Sequence, residues 1–89
     1  MNPFRSSTTR RFWECLNQLP VEVQDQAFKQ YALFEENPLH RSLQFKETGR
    51  YWSVRVSRGY RALAMRHDND LTWFWIGPHD EYEGILKGK

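Results

Sequence analysis

An α+β domain is the fold class this 89-residue sequence predicts: an N-terminal helical hairpin packed on a twisted antiparallel sheet of three to four strands, with a short C-terminal helix. Three observations predict it. Apolar residues recur at helical spacing as far as Phe34, and Asn37-Pro38 stops the pattern. From Tyr51 the period falls to two, in runs separated by Arg58-Gly59 and Asp68-Asn69-Asp70. The last run, L-T-W-F-W-I, ends at Gly77-Pro78 and gives way to a polar stretch beginning at His79. At this length residues 1–89 make a single domain with one modest core.

Taken in order, residues 1–6 form a lead-in with an edge strand expected around Phe4. Ser7 or Thr8 is placed to cap a helix whose apolar stripe is Phe12, Cys15, Leu16 and Leu19. Pro20 ends that helix and suits the first turn of the next, which carries Val23, Ala27, Tyr31 and Phe34. Leu43 and Phe45 alternate with Gln44 and Lys46, which predicts a short strand before Thr48-Gly49. Tyr51 to Ser57 predicts a strand with Trp52, Val54 and Val56 on one face and Ser53 and Arg55 on the other. Arg58-Gly59 is the hairpin turn, the glycine supplying a positive φ. Tyr60 to His67 returns with Arg61, Leu63 and Met65 on one face and Ala62 and Ala64 on the other.

Leu71 to Ile76 is apolar on both faces, with Leu71, Trp73 and Trp75 together on one of them. The segment 79–86, read as a short helix, covers part of that surface. Trp73 and Trp75 then remain as an apolar patch that a partner protein would cover.

Charge is uneven along the chain. Residues 41–66 hold seven Lys/Arg against one acid, a net +6, while the rest holds six bases and ten acids, a net −4. Such a segment is the footprint expected of a phosphate-binding surface, with Arg55 and Arg58 at its centre and Lys46 and Arg50 extending it. The single cysteine, Cys15, forms no internal disulfide and lies on a helix's apolar stripe, where it reads as core. No apolar run is long enough to span a bilayer and the polar start has no secretion signal, so a cytoplasmic protein is expected. His40, His67, His79 and Cys15 are too scattered for zinc spacing, and no phosphate-binding glycine loop occurs; neither metal nor small-molecule cofactor is expected.

His79 and Tyr82 lie three apart on the C-terminal turn and project from neighbouring positions. A histidine moves protons near neutral pH, and arginines such as Arg61 match phosphate oxygens while keeping their charge. Those groups suit RNA cleavage by its own 2′-hydroxyl, which needs a proton acceptor, a proton donor and positive charge at the reacting phosphate.

The run Y-W-S-V-R-V followed by S-R-G-Y-R-A-L, and above all W-F-W-I-G-P-H-D-E-Y-E-G-I-L, resembles the RelE/ParE superfamily of toxins from bacterial toxin–antitoxin pairs. The resemblance covers nearly the whole chain. It implies a twisted sheet packed on two helices and a cognate antitoxin that wraps the toxin. One branch cleaves mRNA in the ribosomal A site without a metal; the other poisons DNA gyrase. Carried over residue by residue, Arg61 falls where RelE-like toxins hold phosphate, and Arg55 at a basic position on the preceding strand. His79 falls where they place a catalytic His or Arg, and Tyr82 matches an aromatic near the end. Ser53 departs from the pattern, standing where some members have a lysine. The resemblance therefore implies a ribosome-dependent mRNA endoribonuclease with Arg61, His79 and Tyr82 in its catalytic site. The alternatives are a gyrase inhibitor acting by protein binding and an inactive antitoxin-binding relic.

Overall fold

The computed structural model describes residues 2–87. In chain order the elements are β1 (Arg5–Thr8), α1 (Arg10–Asn17), α2 (Val21–Glu36), a 3-10 turn (Arg41–Leu43), β2 (Lys46–Thr48), β3 (Tyr51–Ser57), β4 (Tyr60–His67), β5 (Asp70–Pro78) and α3 (His79–Lys87). The sheet has five strands in the order β1-β5-β4-β3-β2. All neighbours are antiparallel except β1, which lies parallel to β5 from Arg5 opposite Asp70 to Thr8 opposite Trp73.

β1 carries no apolar alternation, and it is long-range contacts that hold it. Arg5 Nε donates to Asp70 Oδ1 at 2.6 Å and Trp73 Nε1 donates to Ser6 Oγ at 3.3 Å. Because Ser7 and Thr8 belong to this strand, Thr9 becomes the cap of α1, accepting from the Phe12 amide at 3.1 Å. The strand expected over Leu43–Lys46 starts instead at Lys46. Gln44 sits in the left-handed region at φ 48°, which closes the 3-10 turn, drops Leu43 into the core and delays the extended conformation. Gly59 does not carry the positive φ expected of it; among the described glycines Gly49 does, at φ 63°.

Two cores flank the sheet. On one face α1 covers β5 and α2 covers β3, around Leu16, Phe34, Leu43, Val54, Val56, Ala62, Ala64, Leu71, Trp73 and Ile76. Phe45 fills its β2 end, its ring centroid 5.4 Å from Phe4, 5.1 Å from Phe34 and 5.0 Å from Trp52. The Arg66 guanidinium closes that end, 4.8 Å from both the Phe4 and the Trp52 ring centroids. On the other face α3 lays Tyr82, Ile85 and Leu86 against Leu63 and Trp75.

The two tryptophans of β5 do not share a face. Leu63 pairs with Trp75 and Ala64 with Trp73, so Phe74 is an extra residue and β5 bulges there. The bulge sends Trp73 to the helical-hairpin core and Trp75, with Phe74, to the α3 core. Both indoles are covered by the chain itself, at 5% and 4% exposure. The expectation that Trp73 and Trp75 form an open patch for an antitoxin is thereby overturned; strict alternation along β5 fails at one inserted residue. The exposed apolar surface lies elsewhere. A cleft of about 270 Å³ opens between α1 and α2 over the sheet residues Val54, Val56 and Trp73, with Trp13, Phe28 and Tyr31 exposed at its rim.

Candidate nucleic-acid interface

The β3–β4 hairpin sets the site. Arg55 and Arg61 are direct cross-strand partners and so project from the same face, the one that carries α3. Lys46 pairs with Ser53, two residues before Arg55, and joins that face from β2. Among the described residues Lys46, Arg50, Arg55, Arg58 and Arg61 form no ion pair with an acid. Arg50 is not brought to the Arg58 end of the hairpin: it precedes β3 while Arg58 follows it, roughly 25 Å apart along an extended strand.

Arg61 is held rigidly. Its Nη1 donates to the carbonyls of Ser57 at 3.0 Å and Tyr60 at 2.9 Å, clamping the hairpin turn. Partial burial lowers its pKa from the ordinary arginine value, and the neighbouring Arg55 charge adds to that, while Tyr82 opposes it. An arginine so placed remains a cation, and its remaining N–H groups stay available to an anion.

His79 is delivered to the same end of the sheet. Arg61 faces Gly77 across β4–β5, and the His79 amide, two residues further on, donates to the Gly59 carbonyl at 2.8 Å. The imidazole is half-buried, at 39% exposure. Its Nδ1 lies 3.8 Å from Glu83 Oε2 one helical turn later, which leaves Nε2 directed away from that carboxylate. Of the three acids that follow His79 (Asp80, Glu81 and Glu83), geometry selects Glu83 as the partner.

Tyr82 has a different place from the one the sequence implied. Its ring is 7% exposed, which removes it as a platform for a base. The hydroxyl is 3.5 Å from Ser53 Oγ, which is 3.2 Å from Thr48 Oγ1, and the ring centroid is 5.2 Å from that of His79. Tyr82 therefore anchors α3 to β3 and backs the imidazole. Ser53 is 2% exposed beneath it, so a lysine there would have to displace α3. Sequence reasoning overlooked Gln30, whose Nε2 donates to the Arg55 carbonyl at 2.9 Å and fixes the outer edge of β3. The signal for it was the spacing of Gln26 and Gln30 on one side of a helix. Among the described residues no group of three or more His, Cys, Asp or Glu is arranged to hold a metal ion.

The fold is that of the RelE-like toxin structures. The chain superposes on the archaeal RelE–RelB complex from Pyrococcus horikoshii OT3 with a TM-score of 0.62 at 18% identity, covering 88% of this chain and 96% of that one. It superposes on YafQ from E. coli strain BL21(DE3) with a TM-score of 0.66 at 11% identity, covering 89% and 97%. For the RelB–RelE antitoxin–toxin complex from Methanococcus jannaschii the values are 0.62 and 13%, covering 89% and 96%. No curated sequence matches the chain. The family model of the ParE-like toxin domain matches residues 21–84, and the chain belongs to that family, within the RelE/ParE superfamily of toxin–antitoxin toxins.

Proposed function

We propose that the protein is the toxin of a type II toxin–antitoxin pair and acts as a metal-independent, ribosome-dependent endoribonuclease on mRNA in the cytoplasm. The observation that supports this best is the convergence of Arg55, Arg61 and His79 at one end of one sheet face, with the arginines free of acidic partners among the described residues. A guanidinium pair suits the phosphate that becomes pentavalent when the 2′-oxygen attacks. The 2′-hydroxyl loses its proton to a base, the P–O5′ bond breaks, and the departing 5′-oxygen takes a proton. The imidazole Nε2 serves one of those two transfers, a contribution of ~10²–10⁴ in rate. Glu83 orients the ring, Tyr82 holds α3 in place, and Lys46 and Arg58 extend the grip on flanking phosphates.

The antitoxin's seat in this reading is the apolar cleft between α1 and α2, because Trp13, Phe28 and Tyr31 offer there the aromatic anchors that protein interfaces use. The description of the family favours one second reading, inhibition of DNA gyrase by protein binding. The experiment is paired: purified protein is tested for mRNA cleavage on programmed ribosomes and for inhibition of gyrase supercoiling. Cleavage that His79→Ala abolishes, with supercoiling untouched, is the expected result. Supercoiling blocked by a protein that cleaves nothing would overturn the nuclease reading.

A further inference from the structure

β2 pairs with β3 only as far as Ser53, so the outer edge of Val54–Ser57 has no strand beside it. Side chains of α2 and the 3-10 turn stand there instead. Gln30 Nε2 donates to the Arg55 carbonyl at 2.9 Å and to the Ser42 carbonyl at 3.4 Å, which occupies both its amide hydrogens and leaves Oε1 as an acceptor. Gln26, one turn earlier on α2, makes no hydrogen bond among the described residues. Between these amides, Ser42, Ser57 and Arg58 lies a polar pocket of about 160 Å³. It borders the β3–β4 turn, on the α2 side, and the carbonyl of Gly59 in that turn is the one that holds His79. The pocket lies around the β3 edge from the α3 face that carries Arg61 and His79, and Arg58, in the β3–β4 turn between them, is where a single-stranded chain would cross to it.

The geometry points to a nucleobase-reading site: the pocket receives the base of a ribonucleotide flanking the cut, Gln26 pairs with its edge through both atoms of its amide, Gln30 Oε1 accepts one further hydrogen bond, and Arg58 stacks on it. This rests on the RNA-cleaving reading above and adds sequence preference to it. A primary amide presents a donor beside an acceptor, and its bidentate match is adenine. A guanidinium plane stacks on an unstacked base, which only single-stranded RNA offers.

Direct binding tests the site without cleavage. Labelled protein is titrated with AMP, CMP, GMP, UMP and ribose 5-phosphate while the side-chain amide signals of Gln26 and Gln30 are followed. One nucleotide, AMP by this argument, should move both amides and bind about fivefold or more tighter than ribose 5-phosphate, the low end for one bidentate contact. Gln26→Leu, a substitution at an exposed helix position, should erase the advantage of AMP over the other three nucleotides and leave the stacking advantage over ribose 5-phosphate. The site is overturned by ribose 5-phosphate binding as well as every nucleotide, by amide signals that none of them moves, or by a preference for AMP among the nucleotides that survives in Gln26→Leu. Loss of RNA cleavage by wild-type protein that still discriminates among the nucleotides removes the nuclease reading alone. Cleavage without discrimination removes the pocket alone.

Discussion

Arg55 and Arg61 stand directly opposite each other on neighbouring strands, and neither has an acidic partner among the described residues. Like charges facing across a sheet are unfavourable, by about 0.2–1 kcal/mol relative to neutral pairs. A polyanion bound across both, as in the function proposed above, would neutralise them. Arg55→Gln should therefore raise stability by a few tenths of a kcal/mol to about 1 kcal/mol, read by denaturant unfolding, while weakening RNA binding and its salt dependence. A variant both less stable and fully active would show that the pair serves the fold.

Tyr82 separates packing from hydroxyl chemistry. Tyr82→Phe keeps the ring on Leu63 and Trp75 and loses only a long contact to Ser53, a cost of about 1 kcal/mol or less. Tyr82→Ala removes the anchor of α3 and should cost about 3–5 kcal/mol. Cleavage should follow the same order, near wild type in the first and lost in the second. Equal loss of cleavage in both variants, measured on folded protein, would return the phenol to the chemistry.

Glycines in the last part of the chain should behave in opposite ways. A Cβ on Gly77 would lie 2.6 Å from the buried Trp75 ring, so Gly77→Ala should destabilise by about 1–3 kcal/mol and shift the start of α3. At Gly84, within α3, a Cβ would meet nothing within 4 Å. Gly84→Ala should stabilise by about 0.5–1 kcal/mol, and thermal unfolding of the two variants checks both signs.

Asp70 provides a pH test of the β1–β5 seam. The hydrogen bond and charge of Arg5 hold its carboxyl below the usual aspartate value in the folded protein. A depressed folded-state pKa gives stability that is present above the unfolded value, near 3.8, and lost as pH falls through the folded one. Asp70→Asn should flatten the acid limb of the stability profile, by a small amount since the pair is exposed. An unchanged limb would mean that Arg5 and Asp70 do not couple in solution.

The helices, the β3–β4 hairpin and the strand-then-helix ending were legible because each rests on periodicity over several residues or on a proline stop. The shared face of Arg55 and Arg61 follows from the same alternation once the hairpin register pairs them. β1 was only partly legible, since R-S-S-T has no apolar pattern and owes its pairing to Asp70 and Trp73, 65 residues away. The faces of Trp73 and Trp75 were misread because one bulged residue reverses every side chain beyond it. The burial of Tyr82 was hidden too, because it depends on Ser53 leaving room beneath α3.

The seam between β1 and β5 also bears on synthesis. The first strand of the chain waits for the last one before it has anything to pair with. A nascent polypeptide released before Asp70 lacks β5, which joins its N-terminal strand to the rest of the sheet, and with it α3 and the imidazole. Premature termination thus leaves β1 with no strand to pair with and His79 unmade, so under the function proposed above only translations carried through β5 and α3 yield active protein.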